Sequence, residues 1–151
     1  MIKKTHLAIG LALGLYFLPF MTHKVLFIPI ILIASVLPDI DSVNANIGKH
    51  KIFRPLQSFL EHRGPLHSYT VVIILSLVLA FFYPVFALPF FLGYSIHLFA
   101  DSFTVRGIRP FWPFKFHTEG IVKTGGIVDR SLFYVFMIVD LFLFVMLFLR
   151  I

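Results

Sequence analysis

The sequence predicts an all-α integral membrane protein with about five helices, folded as a single membrane-embedded domain over residues 1–151. The prediction rests on composition and on the length of the apolar stretches. Of the 151 residues, 59% are hydrophobic and only 13% are charged, whereas a water-soluble domain keeps about 25% of its residues charged. No stretch shows the apolar–polar alternation of a membrane β-barrel. Lipid is therefore expected to cover much of the protein surface.

The individual helices follow from the apolar stretches. Residues 7–38 are interrupted only at 21–24, and residues 69–100 carry no charge but contain Pro84 near their middle. Each stretch exceeds the roughly 20 residues of one membrane span, so we expect two short antiparallel hairpins that turn at residues 21–24 and 82–84. Residues 132–149 predict a C-terminal transmembrane helix. The polar stretches 39–66 and 102–130 are predicted to be loops or re-entrant segments.

The distribution of basic residues predicts the orientation in the membrane. Eleven of the 13 Lys and Arg residues lie near the N-terminus or in the two polar stretches, and only Lys24 and Arg150 lie at the opposite end. Since basic residues concentrate on the cytoplasmic side, we expect the N-terminus and both polar stretches to face the cytoplasm. The net charge of +6 fits contact with anionic membrane lipid better than binding of nucleic acid, which is disfavoured as a partner.

Several ionisable residues are predicted to converge at one membrane face, because two antiparallel hairpins bring four helix ends together there. His97 and Asp101 share one helix face through their i, i+4 spacing. Ionisable groups at membrane depth are costly and tend to mark function. Imidazole and carboxylate ligands suit zinc, manganese or iron, and the absence of cysteine excludes thiolate ligands. We predict a site for one or two divalent metal ions, with zinc favoured and manganese or iron as alternatives. The candidate ligands are His6, Asp39, Asp41, His62, His67, His97 and Asp101.

Acidic residues near this face are candidates for proton transfer. Asp39 and Asp41 follow Pro38, where helix two is expected to end, so the two carboxylates can point at one site or bridge two ions. Which of the two is the ligand stays open at this point. Glu61 is a weaker acid–base candidate because it lies beside His62.

Three arginines are candidates for binding a substrate phosphate: Arg63, Arg106 and Arg109. A guanidinium group forms bidentate hydrogen bonds with phosphate oxygens. The same residues also fit a simple role in membrane topology.

The remaining ionisable groups are interpreted as structural. His23, His50 and His117 are predicted to be surface residues, and Asp140 a neutral or hydrogen-bonded packing residue within the last helix. Ser68 as a nucleophile activated by His67 is disfavoured, because adjacent helix residues point in different directions.

Four motifs occur in order along the chain: Thr5-His6, LPDIDS at 37–42, HRGPLHS at 62–68 and GYSIHLFADSFTVRG at 93–107. They resemble those of the YdjM-like family, predicted inner-membrane metal-dependent hydrolases of which some are described as LexA-regulated, and the resemblance covers roughly residues 5–114. That family is in turn distantly similar to zinc-dependent phospholipase C and single-strand nucleases. By this resemblance the metal ligands would be His6, Asp39 or Asp41, His62 or His67, and the pair His97 and Asp101. A second His-x-x-x-Asp pair is absent from the sequence, so the third metal of those enzymes is not expected.

These observations predict a membrane-bound hydrolase of a phosphoester, using a metal-activated water at the cytoplasmic interface of the inner membrane. A phospholipid or another small phosphoester is the expected substrate. Two alternatives stay open: a transporter of metal ions or protons, and a metal-stabilised membrane scaffold or regulator without turnover. Transporters usually bind their ions near the membrane midplane, where Asp140 is the only acidic residue.

Overall fold

The computed structural model describes residues 1–41 and 64–149, and within these ranges the predicted all-α class is confirmed. Short 3₁₀ turns lie at Leu18–Phe20, Leu37–Asp41 and Pro65–His67. The described residues form no strand, and two isolated bridges, Thr104 to Val122 and Ile108 to Thr118, close the loop before the last helix. The described α-helices are α1 Lys3–Phe17, α2 Lys24–Ala34, α3 Tyr69–Phe82, α4 Pro84–Ser102 and α5 Ile127–Leu149.

The helices pair as the two predicted hairpins. α1 packs against α2, and α3 packs against α4, with Pro84 at the first position of α4. The second pair is antiparallel, since Tyr69 at the start of α3 donates its hydroxyl to the carbonyl of Ser95 near the end of α4 at 3.3 Å. Both α1 and α4 also contact further helices: α4 packs against α1 and α2, and α5 packs along α1. These contacts place α1 and α4 at the centre of the fold.

The two hairpins approach each other closely where α4 crosses α2. A Cβ atom added at Gly93 would lie 2.4 Å from the carbonyl oxygen of Ile31, so only hydrogen fits between the two backbones. One helical turn further along, His97 on α4 faces Ser35 at the end of α2. The close approach at Gly93 therefore sets the distance across which His97 reaches α2.

Two helix starts differ from the sequence prediction. α5 begins at Ile127 rather than at residue 132, because the buried carboxylate of Asp129 accepts a hydrogen bond from the backbone N–H of Gly125 and stabilises the helix N-terminus. Gly64-Pro65 in the HRGPLHS motif predicts a turn followed by a helix with His67 in its first turn, but His67 lies in a 3₁₀ turn. α3 starts only at Tyr69, since Ser68 caps it by accepting a hydrogen bond from the backbone N–H of Val71.

Two of the described helices are long and apolar enough to cross a membrane: α4 with 19 residues and α5 with 23. α3 has 14 residues and spans roughly 21 Å at 1.5 Å per residue, which is less than the roughly 30 Å of a hydrocarbon core. Nearly the whole surface of α5 is apolar and points away from the protein, and its buried residues are Asp129 and Asp140. This surface is suited to contact with lipid.

The α2–α4 crossing can be tested with two glycine substitutions. Gly93→Ala forces a methyl group against the Ile31 backbone, and we expect a loss of stability of about 1–3 kcal/mol. Gly14→Ala is the matched control, since its Cβ is too close only to the end of the flexible Ile28 side chain and makes ordinary contacts with Ile31. Alanine also raises helix stability by up to about 1 kcal/mol. The measurement is thermal denaturation in detergent. Equal midpoints for the two variants would contradict the close approach.

Candidate metal centre

Five of the predicted ligand residues meet in one buried cluster. The start of α1, two 3₁₀ turns and the last turns of α4 contribute them. Four are fully buried, and only the Asp39 side chain reaches the surface, with 19% of it exposed. We call these residues the histidine–aspartate cluster: His6, Asp39, His67, His97 and Asp101.

His97 lies at the centre of the cluster. Its ring stacks on that of His6, with centroids 3.9 Å apart and an angle of 17° between the planes. Its Nε2 atom lies 3.4 Å from Nε2 of His67, 3.9 Å from Oδ1 of Asp39 and 4.0 Å from Oδ2 of Asp101. Two ligand atoms of one zinc ion are roughly 3.3 Å apart, given bonds of about 2.0–2.1 Å in a tetrahedron. The cluster therefore has dimensions close to those of a metal site.

A hydrogen bond to the backbone fixes the tautomer of His97. Its Nδ1 atom lies 2.8 Å from the carbonyl oxygen of Ser35. Because a carbonyl only accepts, Nδ1 must carry the hydrogen, and in the neutral ring the lone pair of Nε2 points into the cluster. Histidines that bind metals commonly use their second nitrogen in this way.

His6 provides the sharpest test of whether a cation fits. Its ring is buried, yet neither ring nitrogen has a hydrogen-bond partner in residues 1–41 or 64–149. Nε2 lies 3.3 Å from Oδ1 of Asp101, within ion-pair distance but without hydrogen-bond geometry. Since buried polar atoms are nearly always bonded and a neutral imidazole carries one lone pair, one nitrogen of this ring is available to donate its lone pair to a cation. The chemistry of the donor set and this orphaned ring both fit a divalent metal.

The described donors fall into two overlapping groups that share His97. The groups are His6–Asp39–His97 and His67–His97–Asp101, and the donor atoms within each group lie within 4.8 Å of one another. The Nδ1 atom of His97 is already bonded to Ser35, so only its Nε2 can bind a metal. One ion can therefore bind His97, and a second ion would need a donor set without that residue.

Neighbouring hydrogen bonds hold the ligand segments in place. Tyr94 donates its hydroxyl to the carbonyl of Leu66 at 2.7 Å, beside His67, and Thr104 donates to the carbonyl of Asp101 at 2.7 Å. The amino group of Met1 contacts the carboxylate of Asp101. Burial raises the pKa of Asp39 above its ordinary value, while the nearby His6 and His67 oppose that rise.

Asp129 is a structural partner of the cluster that sequence reasoning missed. Its carboxylate accepts hydrogen bonds from the backbone N–H groups of Ile2 and Gly125 at 2.9 and 2.8 Å, and from the Thr5 hydroxyl at 2.7 Å. This carboxylate ties the start of α5 to the residue before His6. The sequence feature that points to it is Thr5 beside His6, because a threonine that becomes buried needs a hydrogen-bond partner. Asp129 lies in the stretch 102–130 that the sequence predicts to be a loop or re-entrant segment.

The remaining predicted site residues lie outside the cluster or outside the described residues. Arg106 and Arg109 are exposed in the loop that follows α4. The predictions for His50, Glu61, His62 and Arg63, and for the side chain of Asp41, fall outside the residues that the structure describes.

The described residues that were interpreted as structural follow the predictions. His23 is exposed, and His117 is exposed with Nε2 3.4 Å from Oε1 of Glu119. Asp140 is buried, and neither carboxylate oxygen has a hydrogen-bond partner among the described residues, so the neutral state is the predicted alternative that fits. The hydroxyl of Ser68 donates to the carbonyl of Pro65 at 2.8 Å and caps α3.

Comparison with known proteins gives one match. The model of the family described as YdjM inner membrane protein matches residues 1–150, a range that includes every residue of the cluster. No curated protein and no solved structure matches the chain.

The bond between Thr5 and Asp129 predicts a measurable contribution to stability. Thr5→Val keeps the side-chain shape but leaves Oδ1 of the buried Asp129 without this donor, so we expect a loss of about 1.5–3 kcal/mol. Thr5→Ser keeps the hydroxyl and should recover most of that loss. Denaturation of the purified variants in detergent measures the difference. A Thr5→Val variant as stable as Thr5→Ser would show that the hydrogen bond contributes nothing.

Proposed function

The chain belongs to the YdjM inner membrane protein family, and we propose that it is a divalent-metal-dependent hydrolase of phosphoesters. One observation carries the proposal: three imidazoles and two carboxylates, four of them buried, form two overlapping groups whose possible donor atoms lie within 4.8 Å of one another. Zinc is favoured by the ligand types, with manganese and iron as alternatives. A metal held there would lower the pKa of a water to about 7 and polarise a phosphoryl oxygen.

The residues of the cluster have different proposed roles. His6, His67, His97 and Asp101 are buried and hold the metal. Asp39 is the member that reaches the surface, so we assign it both ligand contact and acceptance of a proton from the attacking water. We also propose that Asp41 is a bridging ligand and that Glu61 is an acid–base residue.

The loop after α4 supports a substrate that is anionic and membrane-bound. Arg106 and Arg109 are exposed five and eight residues after Asp101, and we propose that they bind the substrate phosphate, together with Arg63. The same loop exposes aromatic side chains beside Lys115, an arrangement typical of the membrane interface. This loop would hold the site at the level of the lipid headgroups, which favours a phospholipid-derived substrate. The exposed aromatic residues are Phe111, Trp112, Phe114 and Phe116.

We further propose a multi-pass arrangement with the cluster at the cytoplasmic face. α4 and α5 are the candidate spans, and the loop that joins them carries four basic residues and one acidic residue at positions 103–126. α4 ends in the cluster, so the site and this loop belong to the same side. The positive-inside tendency assigns that side to the cytoplasm.

A transporter is the second candidate function, and Asp140 is the observation that favours it. Its carboxylate is buried within the candidate span α5 and has no hydrogen-bond partner among the described residues. Ionisable residues inside membrane spans often mark ion pathways. The histidine–aspartate cluster would then load an ion rather than activate water. A non-catalytic scaffold is the third candidate.

Asp101→Asn separates these functions. If the protein is a hydrolase, this variant should fold but lose metal occupancy and phosphoester turnover together, because the substitution removes a negatively charged metal ligand. Asp140→Asn is the matched control, as it also neutralises a buried aspartate but lies outside the cluster, and it should keep both properties. Metal content after purification in detergent and hydrolysis of a phosphoester panel are the measurements.

The other two candidate functions predict different results for Asp101→Asn and Asp140→Asn. A transporter predicts no phosphoester hydrolysis by the wild-type protein and loss of ion flux in vesicles for both variants. A scaffold predicts neither activity, and Asp101→Asn would lower only the thermal stability that the metal provides. Wild-type protein that binds stoichiometric metal but cleaves nothing in the panel would refute the hydrolase.

The orientation can be tested with single cysteines, since the chain has no native cysteine. We expect Lys115→Cys to resist a membrane-impermeant thiol reagent in intact cells and to react after permeabilisation. Lys24→Cys, exposed at the other end of the first hairpin, should react in intact cells. The reverse pattern would place the cluster on the outer side.

A further inference from the structure

An apolar cavity of about 500 Å³ lies beside the histidine–aspartate cluster. It is formed between α1, α4, α5 and residues 120–122, and all of its lining side chains are apolar. Its volume falls within the range of about 300–1,000 Å³ found for small-molecule sites. Its lining includes the buried or partly buried residues Ile9, Ile96, Ala100, Leu132 and Phe136.

Met1 lies between the cavity and the cluster. Its side chain lines the cavity, while its amino group contacts the carboxylate of Asp101. Ala100, the residue before Asp101, also lines the cavity, and no residue of the cluster does. A molecule lying in the cavity would therefore have one end close to Met1 and, beyond it, to the candidate metal ligands.

The chemistry of the two neighbouring sites defines one kind of occupant. A metal held by His and Asp residues binds an anion such as phosphate, and the exposed Arg106 and Arg109 add positive charge beyond Asp101. The cavity offers no side-chain hydrogen bond, so it accepts hydrocarbon only. We propose that the cavity binds the hydrocarbon chain of an alkyl or acyl phosphate whose phosphate lies at the cluster. This inference rests on the proposed function, since it names the substrate class of that site.

The cavity is proposed to position the substrate rather than to supply affinity. Within a membrane a hydrocarbon chain gains little by leaving lipid for an apolar wall, because both surroundings are equally apolar. What the wall adds is orientation, which brings a reacting group close to its catalyst and lowers the entropy that must be lost. The property to measure is therefore the position of the bound hydrocarbon chain, and not its affinity alone.

Photolabelling of the full-length protein tests the placement. The probe is dodecyl phosphate with a diazirine near the end of its chain, added to protein in detergent with and without zinc. Mass spectrometry should find labels concentrated on α4 and α5 around Ile96, Leu132 and Phe136. Unlabelled dodecyl phosphate should remove most of this labelling, and dodecanol should remove less of it when zinc is present.

Two substitutions on α5 form the matched comparison. Leu132→Trp fills the cavity and should remove most of the specific labelling, whereas Ile138→Trp lies on the exposed face and should leave it unchanged. If Leu132→Trp does not fold, Leu132→Ala replaces it, and its enlarged cavity should shift the labels towards the position that leucine occupied. Labels spread over the exposed face at Ile138, without competition by dodecyl phosphate, would overturn the proposal.

The labelling result is independent of turnover. Labels without a preferred position, together with phosphoester hydrolysis, would refute binding of the chain in the cavity but would still support the hydrolase. Concentrated, competed labels without hydrolysis of any phosphoester would support the chain site and refute the hydrolase.

Discussion

The hydrogen bond from Nδ1 of His97 to the carbonyl of Ser35 is the interaction on which the arrangement of the site depends. It exists because α2 and α4 approach until only a hydrogen fits at Gly93. It also directs Nε2 of His97 towards His67, Asp39 and Asp101. The packing of α4 against α2 and the orientation of His97 therefore depend on each other. A shift of α4 along α2 would change both.

A second constraint is the desolvation of the cluster. Burying charged or polar groups is unfavourable unless partners replace water, and the cluster gathers four fully buried ionisable side chains from three segments. Within the cluster the side chains contact one another and the amino group of Met1. Hydrogen bonds around it hold the segments that carry them: Thr104 to the Asp101 carbonyl, Tyr94 to the carbonyl beside His67, and Thr5 to Asp129. Because Asp129 belongs to α5, the helix with the most lipid-exposed surface also stabilises the segment that carries His6.

The sequence was sufficient where length and periodicity decide the structure. The lengths of apolar stretches predicted both hairpins, and the hairpin topology predicted that His6, Asp39, His67, His97 and Asp101 would lie together. The details that depend on tertiary contacts were not predictable. The bond between Thr5 and Asp129 joins residues at opposite ends of the chain, the start of α5 depends on the same carboxylate, and the unbonded state of Asp140 depends on what packs around it. The cavity beside the cluster likewise arises only when three helices meet.

The shared donor at His97 limits which sets of described residues can bind an ion. One Nε2 atom belongs to both possible ligand groups, so only one ion can bind it. A two-metal mechanism would require a second donor set without this atom, and both carboxylate oxygens of Asp101 face histidines of the cluster. Asp41 and His62, in the LPDIDS and HRGPLHS motifs, are further candidate donors. Asp39 is the member of the cluster that reaches the surface, and it lies in the first of these motifs. Substitution of Asp41 and His62 is therefore the change that distinguishes one-ion from two-ion chemistry.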